Sequence, residues 1–112
     1  MSYKVVISNQ AKIDISRIYS YILNTLKSKI NADAVLRKLY SEMDDLSFMA
    51  GSHHLYPNEP WNSEGVYYFS ANNKSIFYTV EKNEDKTDFE GTVTVIHVAN
   101  SNRDLDAVLR DV

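Results

Sequence analysis

A chain of 112 residues, 44% hydrophobic and 24% charged, has the makeup of one soluble globular domain, long enough for one ordinary core and too short for two. It has no cysteine, which excludes disulfides, thiolate catalysis and cysteine-held metals. No apolar run approaches the roughly 20 residues of a membrane-crossing helix, so a single cytoplasmic domain over residues 1–112 is expected. The net charge of −3 is uneven: residues 1–40 hold seven Lys/Arg against two acids, residues 41–80 one against five, and residues 81–112 four against eight. A non-specific nucleic-acid binder usually spreads a basic face over much of its surface, and only the first third could supply one.

Tyr3 to Ser8 is short and β-branched and reads as a first strand. Ser8 or Asn9 can cap the helix that follows, where Ala11, Ile15, Ile18, Tyr19, Ile22 and Leu26 form one apolar stripe. Lys12, Arg17, Lys27 and Lys29 lie off that stripe and are expected in solvent. After a break at residues 27–31, Ala32, Leu36, Leu39, Met43 and Leu46 define a second helix, with Gly51 as its stop. Residues 51–63 carry both prolines and read as an irregular crossing loop.

Three strands come next. Residues 65–70 pair with residues 74–80 across Ala71-Asn72-Asn73, a turn tolerant of positive φ. Ile76, Tyr78 and Val80 should share one face, with Phe77 and Thr79 on the other. The charged run from Glu81 to Gly91 is expected to be a solvated turn. The last strand spans Thr92 to Val98, with Val93, Val95, His97 and Ala99 on one face, and Asn102 then caps a short helix bearing Leu105, Val108 and Leu109. The order β-α-α-β-β-β-(α) implies an α+β fold, a helical hairpin packed on a mostly antiparallel sheet.

Among groups able to carry chemistry, His53 and His54 sit on an irregular loop without further ligands at metal spacing, and read as exposed histidines. His97, within the last strand, is either a satisfied strand residue or a general base at a site's edge. The aromatic cluster of Tyr56, Trp61, Tyr67, Tyr68 and Phe69 suits core or partner contact better than base stacking. Tyr67 and Tyr68 should point to opposite faces. Arg103 either belongs to a helix-capping neighbourhood with Asp104 or offers a guanidinium to a phosphate or carboxylate.

Taken together, YKVVIS-x-x-A-x-x-D-I-x-x-IYSYI (Tyr3 to Ile22), the helical hairpin, GVYYF…SIFYTVE (Gly65 to Glu81) and VTVIHVANSNRDL (Val93 to Leu105) resemble the RelE/ParE superfamily of type II toxin–antitoxin toxins. The resemblance covers almost the whole chain in the right order. It implies a small toxin neutralised by a cognate antitoxin, with no cofactor and no metal, and with a homodimer among the assemblies open to it. RelE-like members cleave mRNA on the ribosome with basic side chains on the sheet; ParE-like members inhibit DNA gyrase. Where the family often has two basic residues after Gly-Val, this chain has Tyr67 and Tyr68. Ser75 stands where RelE-like nucleases place an arginine, with Lys74 beside it, and the tail keeps Arg103 alone. A nuclease must stabilise charge developing on phosphate, so the resemblance implies first a ParE-like growth inhibitor acting by binding a target such as gyrase. The alternatives are a ribosome-dependent endoribonuclease using Arg103 and Lys74 on phosphate with His97 or Tyr68 near the scissile bond, and a non-toxic binding module on the same fold.

Overall fold

The computed structural model describes residues 2–83 and 89–110. Strand β1 (Ser2–Ile7) leads into α1 (Asn9–Ser20), whose last turn widens into a π-helical turn, Tyr21–Thr25. Then come α2 (Lys29–Asp44), the single turn α3 (Leu46–Met49), and strands β2 (His54–Leu55), β3 (Tyr67–Ala71), β4 (Lys74–Lys82) and β5 (Phe89–Asn100). Helix α4 (Leu105–Arg110) follows. The sheet order is β1-β5-β4-β3-β2. β1 and β5 are parallel and every other pairing is antiparallel, so the expected α+β layering is present.

Local chemistry explains the starts and stops. Ser8 caps α1, its Oγ accepting from the Ala11 amide at 3.1 Å, and Ser28 caps α2 by accepting from Asn31 at 3.2 Å. These short side chains take up N–H groups that a first helical turn leaves without partners. The hairpin turn between β3 and β4 is two residues rather than three: Asn72 and Asn73 adopt φ of 53° and 63°, while Ala71 and Lys74 close the ladder. Asparagine tolerates this left-handed backbone, and its twist suits a tight hairpin.

Two cores sit on opposite faces of the sheet. Ala11, Ile15, Leu39, Met43 and Leu46 of the hairpin pack on Ile76, Tyr78, Val93, Val95 and Val98, with Val80 partly buried beside them. On the other face Tyr56, Trp61, Val66, Phe77 and Leu109 form a smaller cluster, joined by Tyr68, Ile96 and Leu105. Tyr67 and Tyr68 do point to opposite faces, Tyr67 stacked on Tyr78 and Tyr68 on Phe77.

Four further expectations need correction. The crossing loop contributes a fifth strand, because His54 and Leu55 pair with Tyr68 and Tyr67. The second helix does not run unbroken to Gly51; it breaks at Asp45. Asp104, not Asn102, stands at the head of α4, accepting from the Ala107 amide at 3.3 Å. Finally, Val93, Val95, His97 and Ala99 do not share a face. Phe77 pairs with His97 but Tyr78 pairs with Val95, so Ile96 is an extra residue and the strand carries a bulge. One added residue shifts the alternation: Val98 joins Val95 on the hairpin side, and His97 lies across from Phe77 on the other. The expected charged turn falls partly on residues 84–88, outside the described residues; its flanks continue β4 and β5.

β4 and β5 approach so closely at Gly91 that a Cβ there would lie 2.2 Å from the Glu81 carbonyl oxygen and 2.9 Å from the Lys82 Cα. Backbone atoms cannot swing aside as a side chain would. Gly91→Ala should therefore destabilise the chain by about 1–3 kcal/mol, the usual cost of overpacking, and lower its melting temperature by several degrees. An unchanged thermal transition would contradict this approach.

Candidate functional site

Where α1 ends over the sheet, a cleft of about 350 Å³ opens between the π-helical turn and the C-terminal end of β5. Arg17, Tyr21 and Leu26 line its helical side, and Lys74, Asn100 and Arg103 its sheet side. Lys74 reaches it from the start of β4, paired across the ladder with Asn100, and Arg103 from the loop before α4. Among the described residues none of the three cations takes part in an ion pair. Asp14 also lines the cleft, but its oxygens are taken up by His97, Val98 and Gln10, so the three cations outnumber it and favour an anionic partner. Tyr21 and Leu26 are each more than half exposed at the rim, adding an aromatic and an aliphatic surface.

Of the four residues singled out from the sequence, the structure brings Lys74 and Arg103 together and places His97 and Tyr68 elsewhere. Arg17 and Tyr21 are the additions. The signal for them was present: Asp14, Arg17 and Tyr21 recur at spacings of three and four, a second stripe beside the apolar one. A charged residue off an apolar stripe reads by default as solvated, which hid Arg17. Tyr21 opens the π-helical turn, and residue spacing alone gives no sign that the helix widens there.

His97 is turned from the cleft and bound to the helix instead. Its Nδ1 lies 3.1 Å from Asp14 Oδ2, and the same oxygen accepts from the Val98 amide at 3.1 Å, while Gln10 Nε2 donates to Oδ1 at 2.9 Å. The imidazole and carboxylate side chains are only 5% and 14% exposed. Burial alone would raise the Asp14 pKa, but hydrogen bonds from His97, Val98 and Gln10 outweigh it and hold the carboxyl below its ordinary value. An ionised Asp14 can only accept, so Nδ1 is the donor of this contact.

Tyr68 packs in the second core, 5.3 Å from the Tyr56 ring and 5.9 Å from Phe77. That core is latched to α4 through Asp106, which accepts from the Tyr56 phenol and from Asn58 Nδ2 at 2.8 Å. Burial, and next the hydrogen bond to Asp106, push the Tyr56 phenol up to about 12. Of the loop histidines, His54 is exposed on the edge strand, and His53 stacks on Phe69 at 4.3 Å. No group of three or more metal-ligating side chains occurs among the described residues, and none of their helices is long and apolar enough to cross a membrane.

No protein-family model and no curated protein sequence matches the chain. Among solved structures it is similar to a chain of the chromosomal ParDE TA system from P. aeruginosa. The two share 15% identity with a TM-score of 0.67, over 88% of this chain and 95% of that one. It is also similar to a chain of the toxin–antitoxin complex RelBE2 from Mycobacterium tuberculosis, at 14% identity and a TM-score of 0.62, over 89% of this chain and 99% of the other. At such identities the likeness is one of fold, and the fold is the one that the resemblance to RelE/ParE toxins led us to expect.

The Asp14 clamp has a pH signature. Its folded-state pKa lies below the unfolded value of 3.8, so its stabilisation is complete above that value and is lost as pH falls through the depressed one. Asp14→Asn should cost about 1–3 kcal/mol at pH 7, the range for a buried acceptor lost to its donors. Urea denaturation at successive pH values should show the gap to wild type closing below about pH 4. A gap constant down to pH 3 would contradict the assignment.

Proposed function

We propose that the chain is the toxin component of a type II toxin–antitoxin pair and acts by holding an anionic surface of a cytoplasmic target in the cleft of Arg17, Lys74 and Arg103. The observation that carries this reading is the pooling of three cations without ion-pair partners among the described residues in one cleft, while the imidazole and phenol expected beside them are spent in packing. Such a cleft grips charge without an evident proton-transfer pair, which suits inhibition by binding, with gyrase the first target to test. The fold likeness to chains of a ParDE system and a RelBE2 complex supports the toxin–antitoxin setting.

A cognate antitoxin is the partner this reading requires. Ile30 and Phe48, both 82% exposed, and the half-exposed Tyr21 and Leu26 give it apolar area to cover. A second copy of the chain is the competing occupant of that area. A ribosome-dependent endoribonuclease is the second reading, and one observation favours it: Tyr21 stands on the cleft with the cations, where a phenol could take the role sought from Tyr68.

Induced expression separates the readings. The first expects growth arrest with loss of supercoiling in a reporter plasmid and intact ribosome-bound mRNA; cleaved mRNA would replace it by the second. Arg103→Ala combined with Lys74→Ala should reduce toxicity by about tenfold or more, one charge-assisted contact being worth about 1.5–3 kcal/mol, with the circular dichroism of the fold unchanged. Undiminished toxicity in the folded double variant would remove the cleft from the mechanism. Absence of arrest from the folded wild-type chain would remove the toxin reading.

A further inference from the structure

On the opposite face of the sheet a second cleft, of about 330 Å³, lies between the start of α1, the loop before β3, and α4. Its floor is apolar, made by Trp61, Val66, Ile96 and Leu109, and its polar groups include Glu64 and His97. No Lys or Arg lines it. The electrostatic character is thus the reverse of the basic cleft.

His97 is the unusual element here. Its side chain is 5% exposed, yet only Nδ1 is taken up, by Asp14. With Nδ1 donating to Asp14, Nε2 is the ring atom left for the cleft, and it is an acceptor whenever it carries no proton. The carboxylate of Asp14 behind the ring makes that acceptor stronger, as in any carboxylate–imidazole pair. Glu64, exposed at the mouth, adds a carboxylate acceptor, and Trp61, 8% exposed, lines the floor. The charged groups facing His97 from its surroundings are Asp14 of α1 and Glu64 of the loop, both acidic.

We infer that this cleft receives an arginine side chain of a partner polypeptide, its guanidinium donating to His97 Nε2 and the Glu64 carboxylate while its aliphatic stem lies along Trp61 and Leu109. Arginine fits better than lysine because its planar fork presents donors in two directions at once, one toward each acceptor. The complementarity of charge selects the occupant: the Glu64 carboxylate and a ring acceptor border an apolar slot that no Lys or Arg lines. This inference is independent of the toxin reading, since neither Arg17, Lys74 nor Arg103 belongs to the cleft.

Trp61 is the only tryptophan in the chain, so its fluorescence reports on this cleft. The full chain is titrated with acetyl-Gly-Arg-Gly-amide, with the same tripeptide carrying citrulline, and with its lysine counterpart. The arginine peptide should give a saturable change in Trp61 emission with a Kd on the order of millimolar. Citrulline, isosteric but neutral, should bind about tenfold more weakly, as should the arginine peptide to Glu64→Gln. The Arg103→Ala, Lys74→Ala double variant should bind the arginine peptide as wild type does. Equal responses to arginine and citrulline, equal binding of lysine, no saturable change, or an unaffected Glu64→Gln variant would each overturn the assignment; Glu64 is exposed, so that variant should fold normally.

Discussion

A strand that outruns its neighbour must find partners for the backbone groups it exposes, and the end of β5 is built around that constraint. β1 pairs with β5 only as far as Ile7 and Val95, while β5 continues to Asn100. The uncovered edge is closed by the first turns of α1. Ser8 N donates to the Val95 carbonyl at 2.9 Å, Ser8 Oγ to that of Ile96 at 3.3 Å, and Asp14 accepts from the Val98 amide. Buried backbone groups left without partners would cost about 1–3 kcal/mol each. The helix thus stands in for the missing length of β1, and the bulge at Ile96 lets His97 meet the same carboxylate.

The charge distribution follows from this clamp. Fixing α1 across the edge of β5 swings Arg17 and Tyr21 over the end of the sheet, where Lys74 and Arg103 already emerge. The bulge turns His97 to the opposite face, beside Glu64. One side of β5 therefore carries cations and the other an acidic, apolar slot, although the chain as a whole is only mildly acidic. A net charge of −3 conceals two surfaces of opposite preference.

Most of the architecture was legible because it rests on periodicity. The stripe through Ala11 and Ile15, the alternation of Ile76 and Tyr78, and the Asn72-Asn73 turn each follow from a repeat or a backbone preference visible in a few residues. The fate of His97 was hidden because alternation is counted on the assumption of no insertion, and one extra residue reverses it. The two-residue strand at His54 is too short to carry a pattern. Asp104 was visible as a helix-start residue, but Asn102 is an equally good cap in isolation, and only the position of Leu105 in the fold decides between them. In the candidate site, Lys74 and Arg103 were marked by their place in the sequence pattern, whereas Arg17 and Tyr21 depend on how α1 lies across β5.

The central claim, that Asp14 fixes the bulge by accepting from both Val98 and His97, is tested most directly by the nitrogen-15 spectrum of the His97 ring, recorded at alkaline pH. The clamp requires the tautomer with Nδ1 protonated and Nε2 bare, and that state should persist in Arg103→Ala. Finding Nε2 protonated, with Nδ1 bare against an ionised carboxylate, would contradict the clamp and the division of the two faces that rests on it.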